Sequence, residues 1–376
     1  MRNTLICTVG TSLFASNLAK LSDGFYPQIS NWKEIKDAFD QKNFTKIAEE
    51  LIKVDPKERI CGAEINTIEE ARNKKWISLD QLYLLVSDTD DGVNTGKVLS
   101  HYFELREDIN FKKVIAVPIE SLQDKYPKKF KLQGLRNLVK EIGKIIQKET
   151  KEKVAIDATG GYKAQIAIAV TLGQALDIPV YYKHEKFYEI IDFPPLPISL
   201  DFDLLGQYAD LFSMFSKGEC LKKSEIGELD DKLRVFVDSI EEGDDELYEL
   251  NAIGEIYYTA FNLRHPFIPE LKELDDLERK EPTFGDDHHY PNDFKNFVTK
   301  IWNENKWIKT CWTVPYNNQK GIKGISFFVK EEIGQKKLLG TFRSNYGARF
   351  QIELANQSLD SLNWAAVKLN EKYTYL

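Results

Sequence analysis

Hydrophobic positions in the first 200 residues form short, nearly continuous runs, separated by longer stretches of helical periodicity. The runs are rich in Val, Ile, Leu and Tyr, and they predict β-strands over 4–10, 81–87, 113–119, 154–159 and 178–184. The intervening stretches predict helices over 33–53, 68–76, 95–105, 132–149 and 162–176. Strands without a polar face are typical of a parallel sheet covered by helices on both sides. The pattern therefore predicts an α/β domain over 1–200.

The pattern changes after the three prolines of FYEIIDFPPLPISLD (187–201), which indicate a domain exit. Residues 201–284 predict a small helical or winged-helix connector that ends in a linker. Residues 285–376 predict an α+β module, with a helix over 293–305, an antiparallel meander of strands and a last helix over 358–373.

Charge adds to this picture mainly in the second half of the chain. The net charge is −8, and residues 1–202 contribute nothing to it, with 29 basic and 29 acidic side chains. Residues 203–284 carry 9 basic and 21 acidic side chains, whereas residues 285–376 carry 13 and 9. The basic C-terminal module suits contact with a polyanion, and the acidic connector argues against DNA binding there.

Cysteine usage and hydropathy limit the class of protein. The four cysteines lie far apart without a CxxC pair, so neither a zinc site nor a disulfide framework is predicted. No apolar run approaches the roughly 20 residues of a membrane span, and no secretory signal is seen at the start. We expect a cytoplasmic protein that does not contact membranes.

Three loops of the predicted α/β domain place hydroxyls and glycine amides after a strand. Such groups bind phosphate or ribose through their N–H and O–H donors. No loop contains GxxxxGK[ST] or GxGxxG, which disfavours ATP hydrolysis and ordinary dinucleotide binding. Any one loop alone could equally be a tight turn without a ligand. The candidate ligand-binding residues are Thr8, Gly10, Thr11 and Ser12 in the first loop, Ser87, Asp88 and Thr89 in the second, and Thr159, Gly160, Gly161 and Lys163 in the third.

Four motifs in chain order, TVGTSL, CGAEINTI (61–68), SDTDDG and DATGGYK, resemble a CARF domain, the Rossmann-like sensor of type III CRISPR systems. The resemblance implies a homodimer that shares a cyclic oligoadenylate, most often cyclic tetra-adenylate, across its two-fold axis. It places the three loops around the ligand, with Glu64 and Asn66 in a lid or flanking wall. Some members cut their ligand slowly without a metal, so ring cleavage and pure binding both stay open.

The resemblance to a CARF sensor implies an output domain, and the sequence argues against several kinds of nuclease in that role. No arginine is followed by histidine five positions later, which argues against the HEPN ribonucleases of this family. The only Glu-x-Lys near a nuclease pattern, at 278–280, lies in the polar linker. DDHHYPND (286–293) could hold a metal, but its ligands are consecutive, so a helix-entry loop is the preferred interpretation.

The stretch KKLLGTFRSNYGARF makes the C-terminal module resemble a RelE-type mRNA interferase. The resemblance implies metal-independent cleavage of mRNA on the ribosome, with no cofactor, and makes Arg343, Arg349, Tyr346 and Lys337 the candidate catalytic residues. The alternating lysines of that family are absent here. Both arginines could instead bind RNA phosphates or form surface ion pairs. The alternatives are a CARF protein with a metal-dependent nuclease, or a non-enzymatic transcription regulator controlled by the same ligand.

Overall fold

The chain divides into two compact units, Met1–Ser199 and Leu200–Leu376. The computed structural model describes residues 2–374 except for 23–25, 27, 110, 185–186, 188, 199, 244, 265–270, 272, 286–288, 316–323, 333 and 345. In the described part of the chain, no helix has the length and apolar character needed to cross a bilayer. Three residues of DDHHYPND lie outside the described residues.

The N-terminal unit alternates strands and helices, as the hydrophobic pattern predicts. Its strands are β1 (Arg2–Thr8), β2 (Ile77–Ser87), β3 (Lys113–Ile119), β4 (Val154–Asp157), β5 (Val180–Tyr182) and β6 (Ile191–Phe193). Its α-helices are α1 (Trp32–Asp40), α2 (Phe44–Leu51), α3 (Gly62–Asn73), α4 (Asp90–Leu105), α5 (Pro127–Lys129), α6 (Leu135–Glu149) and α7 (Lys163–Leu176). Short π-helical turns lie at Leu13–Leu18, before α1, and at Phe130–Gly134, before α6.

One six-stranded sheet, in the order β3-β2-β1-β4-β5-β6, forms the centre of this unit. All pairs are parallel except β5 with β6. The inner strands are buried on both faces, as expected for a sheet between helical layers. The predicted α/β class with a mainly parallel sheet is confirmed for this unit.

The single helix predicted over 33–53 is wrong, because the chain forms two helices there. Lys42 adopts a left-handed conformation with φ 52°, which ends α1. The side chain of Asn43 then accepts a hydrogen bond from the N–H of Lys46 at 3.0 Å and begins α2. The apolar periodicity continues through the break, so hydropathy alone does not reveal it.

The C-terminal unit combines helices with two antiparallel sheets. Its helices are α8 (Asp203–Gln207), α9 (Ala209–Ser216), α10 (Lys223–Ile226), α11 (Ala252–Arg264), α12 (Phe294–Glu304) and α13 (Leu359–Tyr373). Its strands are β7 (Leu221–Lys222), β8 (Val237–Glu242), β9 (Asp245–Leu250), β10 (Ile308–Val314), β11 (Gly324–Glu332), β12 (Gln335–Arg343) and β13 (Gly347–Leu354). A three-stranded sheet has the order β7-β9-β8, and a four-stranded sheet has the order β10-β13-β12-β11.

The antiparallel meander is correct for β11, β12 and β13 but not for β10. This strand pairs with β13 at the far edge of the sheet, so consecutive strands β10 and β11 are not neighbours. The alternation of apolar and polar residues predicts that β10 and β11 are strands. Which strands pair with each other depends on where their buried faces meet.

Residues from the predicted connector and from the predicted C-terminal module share one hydrophobic core. Phe212 of α9 and Phe261 of α11 belong to the same buried cluster as Phe327 and Phe350 of the four-stranded sheet. Elements on both sides of position 284 therefore pack as one unit. The winged-helix and RelE-like assignments stay predictions.

Candidate functional site

The three predicted loops meet at one edge of the parallel sheet. Strand β1 lies between β2 and β4, with Thr8 level with Leu85 and Cys7 level with Asp157. Because the carboxyl ends of parallel strands lie at the same edge, the loops that follow β1, β2 and β4 are neighbours. The order of the strands, rather than any single loop, brings the candidate residues together.

A cavity of about 370 Å³ opens where these loops meet. Eight of the thirteen predicted ligand-binding residues line it, while the other five lie elsewhere in the unit. The lining residues that were predicted are Gly10, Thr11, Ser12, Glu64, Ser87, Thr159, Gly160 and Gly161.

The loops after β1 and β4 pack so closely that only glycine fits between them. A Cβ on Gly160 would lie 2.1 Å from Oε1 of Glu64 and 2.8 Å from the backbone nitrogen of Gly10. A Cβ on Gly10 would lie 3.0 Å from the nitrogen of Gly161, which itself has a φ of 97°. Glycine is therefore required here by close approach and, at 161, by backbone conformation.

Glu64 is a buried carboxyl at the wall of the cavity. Its Oε1 accepts a hydrogen bond from the N–H of Gly10 at 2.8 Å, and the residue is 1% exposed. Its Oε2 has no hydrogen-bond partner among the described residues. Burial raises the pKa of this carboxyl, although the bond from Gly10 opposes the shift. A neutral Glu64 could donate a hydrogen bond to a ligand in the cavity.

Asp157 forms a second buried acid just below the loop after β4. Its carboxylate accepts hydrogen bonds from the N–H of Thr159 at 3.1 Å and from the thiol of Cys7 at 3.3 Å. Burial raises the pKa of Asp157 to about 7, and the charge of Glu64 adds to the shift. Burial, together with both acids, holds the pKa of Cys7 well above its usual range, so this cysteine stays a thiol rather than a nucleophile.

Thr8 and Asn66 were predicted to contact ligand, but neither lines the cavity. Thr8 is fully buried, and its hydroxyl donates to the carbonyl oxygen of Gly160 at 2.7 Å. The amide of Asn66 donates to the carbonyl oxygen of Glu58 at 3.3 Å and to that of Pro56. Both side chains hold the loops that shape the site.

Asp88 and Thr89 likewise stabilise the loop after β2 instead of lining the cavity. The carboxylate of Asp88 accepts the N–H of Ser121 at 2.8 Å, where the backbone has a positive φ of 63°. Thr89 is the N-cap of α4, and its hydroxyl accepts the N–H of Gly92 at 3.1 Å. Only Ser87 of this loop reaches the cavity.

Lys163 lies on the first turn of α7 with an exposed side chain and is not among the residues that line the cavity. The cation that does line the cavity is Lys183, just after β5. Its backbone N–H donates to the hydroxyl of Thr159 at 3.0 Å, and its side-chain ammonium forms an ion pair with Glu70. Lys183 and its neighbour His184 were not predicted, although they follow a strand next to β4 and the same rule would have found them.

A comparison with known protein families supports the CRISPR-associated resemblance of the N-terminal unit. Residues 59–196 match the family described as CRISPR-associated protein (Cas_APE2256). Three of the four motifs that resemble a CARF domain lie in this range, whereas TVGTSL lies before it. The family match supports the CRISPR-associated resemblance for this part of the chain. A search of the curated proteins found no significant match.

Among solved structures, a similar one is Can2 from Sulfobacillus thermosulfidooxidans in complex with cyclic tetra-adenylate (cA4). The identity is 11% and the TM-score is 0.25. The similarity covers 69% of this chain and 57% of the Can2 chain, so the chain spans little more than half of that protein.

The four candidate catalytic residues lie on or beside the four-stranded sheet of the C-terminal unit, with Lys337 apart from the two arginines. Arg349 lies directly opposite Thr341, two positions from Arg343 along β12. Lys337 lies on the same face but six positions from Arg343, roughly 20 Å along the strand, and pairs with Glu332 at 3.5 Å.

Tyr346 lies in the turn between β12 and β13 and is 47% exposed. Its hydroxyl donates to the carbonyl oxygen of Tyr290 at 2.7 Å. Arg349 lines a cavity and is 8% exposed. The catalytic roles of all four residues stay predictions.

Proposed function

We propose that this chain is an effector of a CRISPR system, in which the N-terminal unit binds a cyclic oligoadenylate and thereby controls RNA cleavage by the C-terminal unit. The observation that carries the proposal is the cavity at the carboxyl edge of the parallel sheet. Glycine amides, hydroxyls, Lys183 and the buried acid Glu64 meet there, and these donors suit a phosphate and its ribose.

The size of the cavity supports a ligand shared by two copies of the chain. About 370 Å³ is at the low end of the range of roughly 300–1,000 Å³ that is typical of ligand pockets. A ring of four nucleotides on a two-fold axis places half of its phosphates against each copy, so a small cavity in each suffices. The homodimer and cyclic tetra-adenylate are therefore parts of the proposal.

Control of the output requires that the ligand bind one arrangement of the protein more tightly than another. We propose a metal-independent ribonuclease because the stretch FRSNYGAR in the C-terminal unit resembles RelE-type interferases, which act on ribosome-bound mRNA. Slow cleavage of the bound ring in the N-terminal unit is a further part of the proposal, since Thr11, Ser12 and Thr159 line the cavity.

The test is a cleavage assay with the purified chain and synthetic rings of three to six adenosines. RNA is supplied free or on translating ribosomes, and the reactions with free RNA are repeated in EDTA, because ribosomes need Mg²⁺ to stay assembled. We expect cleavage with only one ring size, and any cleavage of free RNA should be undiminished in EDTA. Loss of cleavage in EDTA would indicate a metal-dependent nuclease, and no cleavage with any ring, with or without ribosomes, would refute an RNA-cleaving output.

A further inference from the structure

The C-terminal unit contains a second cavity, of about 580 Å³, that none of the sequence motifs predicted. It lies between α8 and α9 on one side and the four-stranded sheet on the other. In that sheet, Phe327 and Phe350 contact aromatic rings of α12 and α13, so they face the core. The residues that alternate with them point to the opposite face, where the cavity lies.

A row of three polar side chains crosses the floor of this cavity. Ser326 of β11 lies opposite Thr341 of β12, and Thr341 lies opposite Arg349 of β13. They are 6%, 7% and 8% exposed, and all three line the cavity. Directly opposed residues have Cβ atoms roughly 5 Å apart, so the two hydroxyls and the guanidinium form a continuous polar strip.

The hydroxyl of Thr341 has an unmet hydrogen-bonding capacity. Its Oγ1 is buried and has no hydrogen-bond partner among the residues that the structure describes. A buried polar atom without a partner is costly to the fold, and native proteins keep few of them. Because Thr341 lines the cavity, a ligand bound there would supply the missing partner.

The other walls provide a carboxyl and two aromatic rings. Asp210 of α9 lines the cavity near Ser326, whose hydroxyl donates to it, and burial raises the pKa of Asp210 to about 6. The guanidinium carbon of Arg349 lies 5.6 Å from the ring centre of Phe328. The ring of Tyr208 lines the opposite wall, and its hydroxyl donates to Asp230 at 2.8 Å.

Acidic side chains at the rim restrict what can enter. Glu228 and Asp230 line the mouth and are exposed to solvent, whereas Arg349 is buried at the floor. Water and salt screen exposed charges more strongly than buried ones. A single phosphate can therefore reach the guanidinium, while a broad polyanionic surface such as a duplex would meet the acids first.

We propose that this cavity is a nucleotide-binding site, with Arg349 and Thr341 donating to one phosphate and with Phe328 and Tyr208 against the nucleoside. The proposal deepens the function proposed above and rests on it in one respect, since it takes the nucleotide to be a unit of the RNA substrate. A charge-assisted bond from arginine and one hydroxyl donor suit the non-bridging oxygens of a phosphodiester. An aromatic wall suits any base.

The test measures binding to the full-length chain by calorimetry, with adenosine monophosphate and with a ten-nucleotide 2′-O-methyl RNA that cannot be cleaved through its 2′-oxygen. Thr341→Val removes one hydroxyl at nearly constant shape and should weaken binding about tenfold. Its melting temperature should be unchanged or higher, because the hydroxyl lacks a partner in the free protein. Arg349→Gln should weaken binding about tenfold to a hundredfold.

Arg234→Gln is the matched control, since Arg234 is exposed and pairs with Asp231 at 3.1 Å outside the cavity. Photolabelling with 8-azido-adenosine monophosphate should mark peptides that contain Tyr208 or Phe328. Wild-type affinity in both Thr341→Val and Arg349→Gln, or labelling confined to the N-terminal unit, would overturn the proposal.

The assay separates this site from the proposed function. Nucleotide binding that depends on Thr341, in a protein that cleaves no RNA, would leave the site standing and refute the ribonuclease. Activator-dependent RNA cleavage that proceeds at the wild-type rate in Thr341→Val would refute the site alone. Binding of the monophosphate without the 2′-O-methyl RNA would support the phosphate site and overturn RNA as its source.

Discussion

The buried carboxyl of Asp157 should make the N-terminal unit less stable as the pH rises towards neutrality. Its pKa is about 7 in the folded protein, against an ordinary value near 3.8. Between these values the folded state holds a proton that the unfolded state has released, so each rise in pH favours unfolding. The stabilising contribution is complete below about pH 4 and is lost as the pH approaches 7.

The size of the effect follows from the shift. One pH unit between the two pKa values corresponds to about 1.4 kcal/mol, so a rise from about pH 5.5 to above 7 should cost the unit about 2 kcal/mol. Asp157→Asn removes this titration and keeps an amide oxygen that can accept the N–H of Thr159. Glu64 still titrates in the variant, so the difference between the two proteins reports Asp157 together with its coupling to Glu64.

Hydrogen exchange of peptides from β1 and β4 reports the free energy of unfolding of this unit, once corrected for the intrinsic exchange rate at each pH. The wild type should lose about 2 kcal/mol relative to Asp157→Asn across that range. If the free energy of unfolding changed equally with pH in the two proteins, or if the wild type became more stable than the variant as the pH rose, the assignment of a proton to Asp157 would be refuted.

Three further substitutions test the cavity of the N-terminal unit. Glu64→Gln keeps an oxygen for the N–H of Gly10 but cannot ionise. Calorimetry should show that ring binding weakens with rising pH more steeply in the wild type than in the variant, because Glu64, whose pKa is raised, gains a negative charge near the phosphates as it ionises. Gly160→Ala should lower the free energy of unfolding by about 1–3 kcal/mol, seen as a lower melting temperature, because its Cβ would overlap Oε1 of Glu64. Lys183→Met should weaken ring binding about tenfold, with the exposed Lys144→Met as control, and equal affinities of the two variants would count against a role for Lys183.

Hydrophobic periodicity determined much of the N-terminal unit without any structure. Runs of apolar residues predicted its central strands, and β3 has the predicted bounds, 113–119. The rule that parallel strands end at a common edge then predicted that Gly10, Ser87 and Gly160 would lie together, and all three line the cavity. This part of the site was predictable because it depends on the order of local elements and on little else.

Tertiary packing decided which loop residues face the ligand and which hold the loops. Thr8 and Thr11 lie in the same predicted loop, yet Thr8 donates to the carbonyl of Gly160 beneath the surface while Thr11 lines the cavity. Sequence cannot separate the two, since both are threonines near a strand end. The direction of each side chain depends on the neighbour across the loop, which is distant in the chain.

The second cavity depends still more on long-range packing. Asp210 precedes Ser326 by more than a hundred residues and lies in a segment predicted as a connector, yet the two side chains are in contact. Likewise, Thr341 and Arg349 become neighbours only through the register of β12 and β13. Local sequence determines which face of an element is apolar, because that depends on periodicity alone. Which polar residues meet across a cavity depends on how those faces pack, and only the tertiary structure decides that.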